Sequence, residues 1–232
     1  MGLLDIFRSK KRTSPPPSET IPPAHGWDAI TTTFAALYPG QDAPAHRAPL
    51  VHRMHDLSEH PAAFDGISAY DAGSSWHFVT YGLTELYAKE QDDAEVSGFG
   101  YELTFRVPKL ADTPPAWAFD FLEAIGKSVW SGTALGPGHT IKTGPLDGRT
   151  DTPEVAVLVV RDPAVPEPVA TPNGRVTFLL LLGVDDACRQ RVLAAHAETT
   201  SDGWEAAIVN ELRASNPDLV TPIRTQGPWG TP

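Results

Sequence analysis

The chain has 232 residues, 41% of them hydrophobic, enough to bury a substantial core as one domain, or at most two small ones; one is expected. Its formal net charge of -11 argues against a binder of nucleic-acid phosphates, whose affinity is built from clustered Lys and Arg, and suits basic partners. A single cysteine, Cys188, excludes an internal disulfide and a cysteine-rich zinc site, which suits a reducing cytoplasm, and no apolar run reaches the roughly 18 to 20 residues that cross a bilayer.

Residues 1–24 differ in composition from the rest. MGLLDIFRSKKR joins Leu3, Leu4, Ile6 and Phe7 to Arg8, Lys10, Lys11 and Arg12, and the prolines of SPPPSETIPP forbid regular structure. The stretch is read as a disordered tail in preference to a membrane-surface anchor, and neither a secretory nor a myristoylation signal is met. From Trp27, the residues Ile30, Phe34, Leu37 and Tyr38 form one apolar helical stripe, closed by Pro39-Gly40. Residues 41–75 are rich in loop signals and histidine: His46, His52, His55 and His60. The spacing His52-x-x-His55 lacks an acidic or cysteine ligand to complete a metal site, so solvated loop histidines are expected. Asp65-Gly66 is a turn signal leading into a strand from Ile67 to Tyr70.

A strand from Trp76 to Tyr81 and another from Tyr101 to Val107 follow, separated by the acidic connector Lys89–Glu95. Alternation predicts that Tyr101, Leu103, Phe105 and Val107 face the core while Glu102, Thr104 and Arg106 face water. Thr113-Pro114-Pro115 is a helix start, with Thr113 as N-cap and Phe121, Leu122, Ile125 and Val129 as the buried stripe up to Gly132. The runs Val155–Val160 and Val176–Val184 are expected to be the centre of the sheet, covered on both faces, with the Asn173-Gly174 turn before the second. Two helices end the domain, from Asp186 to Ala197 and from Asp202. Asp202 and Glu205 have capping-box spacing, Trp204, Ile208 and Leu212 share a face, and Asn216-Pro217 stops the second helix. The expected architecture is α+β, a mixed β-sheet with packed helices in a single domain over residues 25–225, followed by a short tail, 226–232.

The segments WHFVTYGLTELY and SGFGYELTFR resemble the paired signature of the suppressor of fused family, W-H-[FY]-[VI]-[ST]-[YF]-G-L-[ST]-[DE]-L-Y and S-G-[FW]-G-[FY]-E-L-T-F-R. The likeness extends to Gly26-Trp27-Asp28-Ala29-Ile30, Asp65-Gly66-Ile67-Ser68-Ala69-Tyr70, Gly144-Pro145-Leu146-Asp147 and Thr171-Pro172-Asn173-Gly174. Ser75 departs from it, standing where animal members have His, as does Ala62-Ala63-Phe64 where Asp-Pro-Leu is usual. The resemblance implies a non-enzymatic domain that binds a protein segment. It also implies that Glu85, between Tyr81 and Tyr87, is the acidic residue presented to the partner. The chain looks like the first lobe of a two-lobed clamp, and in that form it resembles small bacterial members proposed as immunity proteins that sequester a cognate toxin.

Tests for catalytic chemistry find no template. There is no G-x-S-x-G elbow around Ser68, and Ser97-Gly98-Phe99-Gly100 opens a strand, so its glycines serve a bulge or a tight turn instead of a phosphate. His77 has no nucleophile fixed beside it and is expected to be packed or hydrogen-bonded. Asp92, Asp93 and Glu95 miss the spacing of a calcium loop and read as a solvated acidic connector. No catalytic residue, metal ligand or cofactor is therefore expected. The candidate partner-binding residues are Tyr81, Glu85, Tyr87, Asp92, Asp93 and Glu95, and a basic toxin is the expected kind of partner. An enzyme or ligand-binding domain of unrecognised mechanism stays open as the alternative class.

Overall fold

A computed structural model describes residues 23–49, 61–146, 148, 153–166, 168–198 and 203–223. Helix α1 (His25–Leu37) and strand β1 (Ala45–Arg47) precede the hairpin β2 (Gly66–Asp71) and β3 (Ser75–Tyr81), then β4 (Val96–Pro108) and α2 (Ala116–Trp130). Strands β5 (Thr140–Lys142), β6 (Glu154–Arg161), β7 (Val169–Thr171) and β8 (Gly174–Asp185) lead to α3 (Asp186–Glu198) and α4 (Trp204–Ser215). The strands form one mixed sheet in the order β1-β2-β3-β4-β8-β6-β5, with β7 paired to the start of β8. Among the described residues only β4 and β8 run parallel, Tyr101 opposite Thr177 through Phe105 opposite Leu181; the other pairs are antiparallel. The α+β expectation holds. The middle of the sheet, however, is β4 flanked by β3 and β8, while β6 lies one strand from the edge.

Period-two alternation sorts the long strands onto two faces. On one, Phe78, Leu103, Phe105, Val157, Val159, Leu179 and Leu181 pack against Phe119, Leu122, Ile125 and Val129 of α2. On the other, Ile30 and Phe34 of α1 cover Tyr70, Val79, Tyr81 and Phe178, and Val192 of α3 joins Leu158, Leu180, Leu182 and Val184, with Trp204, Ile208 and Leu212 of α4 packed alongside. The sheet is thus covered by helices on both sides, and its central strands have no wet face.

That arrangement overturns the expected solvent face of β4. Glu102 and Thr104 are fully buried and Arg106 is 3% exposed. The alternation is real, but its polar side meets a second covered layer, and each of these residues is matched there by hydrogen-bonding groups.

Two helix starts differ from expectation as well. The residue before the first turn of α2 is Pro115, extended at φ -68° and ψ 130°, so Thr113 lies outside the cap. Two prolines separate it from the helix, and their fixed φ carries the chain in without a hydroxyl cap. For α4, the cap residue is Gly203 at φ 116°; Asp202 lies outside the described residues, as do the first 22 residues and His52, His55 and His60.

Candidate functional site

The segment between β3 and β4 builds a surface held by two carboxylates, Glu102 and Glu85. Just after β3, the chain makes a tight passage through Gly82, Leu83 and Thr84 around the buried carboxylate of Glu102. Glu102 accepts the Gly82 and Thr84 amides, both at 2.9 Å, and the Thr84 and Thr80 hydroxyls at 2.7 and 2.6 Å. Burial is the strongest influence on this carboxyl and raises its pKa, although all four hydrogen bonds pull the other way. The passage drives Leu83 into the α2-side core and Leu86 into the α1-side core, pinning the loop from both faces.

Glu85 performs a similar task for the next stretch. Its carboxylate accepts from Lys89 Nζ and from the amides of Glu90 and Gln91, each at 2.7 Å, and from the Gly98 amide at 3.3 Å. The side chain is only 9% exposed. Burial pushes its pKa up, but the Lys89 ammonium and the two loop amides outweigh burial and leave the group below the ordinary carboxylate range. Its backbone is engaged too, the amide donating to Ser97 Oγ at 2.9 Å and the carbonyl accepting from Asn173 Nδ2 at 2.7 Å. Glu85 is therefore an acceptor that folds its own loop, where an exposed contact residue was expected.

Between this loop and the start of β4 lies an open cleft of about 490 Å³. Gly98 and Gly100, at φ 55° and 83°, place a bulge in β4 where its pairing with β8 shifts register. A side chain at Gly98 would also meet the Leu83 carbonyl at 2.5 Å. The bulge turns Phe99 outward, 41% exposed, edge-on to the equally exposed Trp130 at 4.9 Å between ring centroids. Trp130 is held by its indole N–H on the Ala63 carbonyl at 2.9 Å. The charged residues lining the cleft, Asp65, Glu85 and Glu90, are all acidic.

Of the residues singled out by sequence, Glu85 and Tyr87 line this cleft. Tyr81 does not; it is buried beneath α1 and stacks on Trp27 at 4.3 Å. Asp92, Asp93 and Glu95 are exposed in the continuing loop, with Asp93 accepting the Glu95 amide and Glu95 paired to Arg175 at 2.7 Å. Sequence reasoning missed Phe99 and Trp130. The available signal was an aromatic residue between two glycines, since the glycines that break the strand also expose what stands between them.

A second polar constellation is sealed inside the α1-side layer. Asp162 accepts from His77 Nε2 at 2.9 Å, Thr104 Oγ1 at 2.7 Å, Arg106 at 2.6 Å and the Ala164 amide at 3.0 Å. His77 Nδ1 meets Tyr38 Oη at 2.6 Å, and Arg106 also donates to the Asp218 carbonyl at 2.5 Å. Burial lowers the His77 pKa more than its Asp162 partner raises it. Asp162 sits well below the carboxylate range despite burial, because His77 and Arg106 favour its charge. The His77 and Asp162 side chains have 0% exposure, so the centre of this network is sealed from solvent and joins α1, β3, β4 and the 217–221 segment from within. Among the described residues, no cluster of three or more His, Cys, Asp or Glu could hold a metal ion, and no helix is long and apolar enough to cross a membrane.

Comparison with known proteins places this architecture. The family model described as "Suppressor of fused protein (SUFU)" matches residues 60–222. The suppressor of fused homolog of Homo sapiens is 30% identical over 249 aligned positions, covering 92% of this chain and 49% of its own length; that of Mus musculus is 29% identical, covering 86% and 43%. The chain thus spans about half the length of these curated relatives. A solved structure described as "the Sufu-Fu complex crystal structure" superposes with a TM-score of 0.71 at 27% identity, covering 86% of this chain and 90% of that one. The crystal structure of Drosophila Suppressor of Fused gives 0.70 at 27% identity, covering 86% and 50%. With the signature's two glutamates now seen folding the β3–β4 loop and the family matched across most of the described domain, the chain belongs to the suppressor of fused family.

Proposed function

We propose that this chain is a protein-binding domain, acting without chemistry on its partner, and that the cleft beside the Glu85 loop receives a basic segment of that partner. The observation that carries this reading is the pairing of an exposed edge-to-face aromatic couple, Phe99 and Trp130, with a cleft whose charged lining is wholly acidic. Exposed aromatic area beside charge is the combination enriched at binding hot spots. The similar structure solved as a Sufu-Fu complex supports partner binding as the family's mode of action.

The finer reading is an immunity role, in which a cytoplasmic copy of this domain sequesters a basic toxin. The net charge of -11 favours fast electrostatic encounter with such a partner. Affinity capture from the source cell followed by titration calorimetry tests both levels. A stoichiometric partner is expected, and Phe99→Ser and Glu90→Arg should each weaken it about tenfold or more while leaving the thermal midpoint nearly unchanged, since both side chains are exposed. Wild-type affinity in both variants would move the site elsewhere. A captured partner that is not a toxin would end the immunity reading and leave the binding reading in place. Glu85→Arg is the wrong probe: it removes the acceptor of two loop amides and is expected to disorder residues 85–98, lowering binding and stability together.

A further inference from the structure

Resting on that reading of the cleft, we infer that the chain carries its own competitor for it: residues 1–12 dock in the cleft and must be displaced before a partner binds. Three observations converge. The described chain begins at the cleft wall. The Gly26 amide donates to the Leu86 carbonyl at 2.9 Å, and Gly26 lies so close to the Glu85 carbonyl that a methyl group there would collide with it. Pro23, where the described chain starts, is thus three residues from this contact with Leu86, which lines the cleft.

The second observation is complementarity. MGLLDIFRSKKR presents Leu3, Leu4, Ile6 and Phe7, then Arg8, Lys10, Lys11 and Arg12. The cleft is lined by Phe99, Trp130 and Glu90, and Asp92 and Asp93 are exposed two and three residues after Glu90 along the chain. Apolar groups facing aromatic ones and cations facing carboxylates satisfy both halves of the segment at once. On a domain of net negative charge, this is the segment where four cations lie within five residues.

The third is reach. The twelve residues Thr13–Ala24 span roughly 40 Å when extended, ample to fold back onto a cleft that starts beside their own anchor. Tethering at this range gives an effective concentration on the order of 1 mM. A segment with a dissociation constant of about 100 µM would then occupy the cleft about nine-tenths of the time and weaken any competitor about tenfold.

The test uses full-length protein and a fluorescently labelled synthetic peptide of residues 1–12. The peptide is titrated by anisotropy into wild type and into a variant with Arg8→Glu, Lys10→Glu, Lys11→Glu and Arg12→Glu. The variant should bind the peptide about tenfold more tightly than wild type does, more weakly as salt rises, and not at all once Phe99→Ser and Glu90→Arg are added. Equal affinity in wild type and variant overturns the inference, as does binding that survives the two cleft substitutions. So does binding of the peptide to phosphatidylserine vesicles but not to the variant, which would make the segment a membrane anchor. Dilution separates self-docking from docking on a neighbour: wild type that dimerises through its tail, and dissociates on charge reversal, also overturns it. The inference and the partner reading fail separately. Peptide binding with no captured partner sinks only the partner reading. A captured partner that binds at the cleft with the same affinity in wild type and in the charge-reversed variant sinks only the inference.

Discussion

Asp162→Asn removes one charge from the sealed network without creating a cavity, because the two side chains are nearly isosteric. In the native protein this carboxylate faces Arg106, whose side chain is 4% exposed, at 2.6 Å. Losing the charge leaves a buried guanidinium with the Asp218 carbonyl and a neutral amide as partners. Breaking such a pair costs about 3 to 5 kcal/mol, chiefly the desolvation of the orphaned ion. The amide also reverses a hydrogen bond. Asp162 Oδ2 accepts from both His77 Nε2 and Thr104 Oγ1, so an NH₂ in its place forces His77 into the other tautomer and Tyr38 into accepting. Urea unfolding followed by tryptophan fluorescence should show a large fall in midpoint, and for a domain of this size the thermal midpoint should drop by roughly 10 °C. Adding Arg106→Met removes the orphaned charge, so the double variant should be more stable than the sum of the single losses by about 2 kcal/mol or more. A single-variant loss below about 1 kcal/mol, or strict additivity, would show that the pair is not what joins these elements.

The other expectations follow from the same burial. Glu102→Gln keeps an acceptor for the Gly82 and Thr84 amides and should cost about 1 kcal/mol, whereas Glu102→Leu strands both and should cost about 2 to 6 kcal/mol; equal losses in urea titrations would refute the acceptor role. Phe105→Ala, at a side chain with no exposure, should cost about 3 to 5 kcal/mol, and an unchanged midpoint would contradict the packing described for β4. The pH dependence has a definite sign. His77 is lowered from 6.5 and Asp162 from 3.8, so their stabilisation is complete above about pH 6.5, starts to fall as His77 is protonated, and falls again below 3.8. Glu102, raised from 4.5, opposes this, its contribution being largest in acid and lost as pH rises through its folded pKa. Urea midpoints from pH 7 to 4 should therefore fall more steeply in Glu102→Gln than in wild type, and a shallower fall would reverse the assignment.

The linear pattern of the chain determined most of the fold. Apolar periodicity located α1, α2, β4, β6 and β8 and the α+β class, because a helix or strand that must bury one face writes its period into the sequence whatever it packs against. The paired signature around residues 76–107 likewise carried the family. What periodicity cannot state is how many layers cover a strand. Glu102, Thr104 and Arg106 read as solvent-facing positions and become interior because the Gly82–Thr84 loop, α1 and the 217–221 segment close over a face that alternation alone would leave wet, whereas His77 is packed and hydrogen-bonded as expected. Asp162 lies 56 positions from Arg106 and 85 from His77, a proximity created by the pairing of β8 with β4 on one side and β6 on the other, and invisible to any local window. Glu85 stands out in the signature, but its role was decided by a loop that turns back so that its own amides at 90 and 91 meet the carboxylate. Phe99 and Trp130 meet at the cleft because a bulge in β4 faces the end of α2. Periods and motifs are properties of neighbours along the chain, whereas a buried charge network and a cleft are properties of distant segments brought together, which the tertiary structure alone decides.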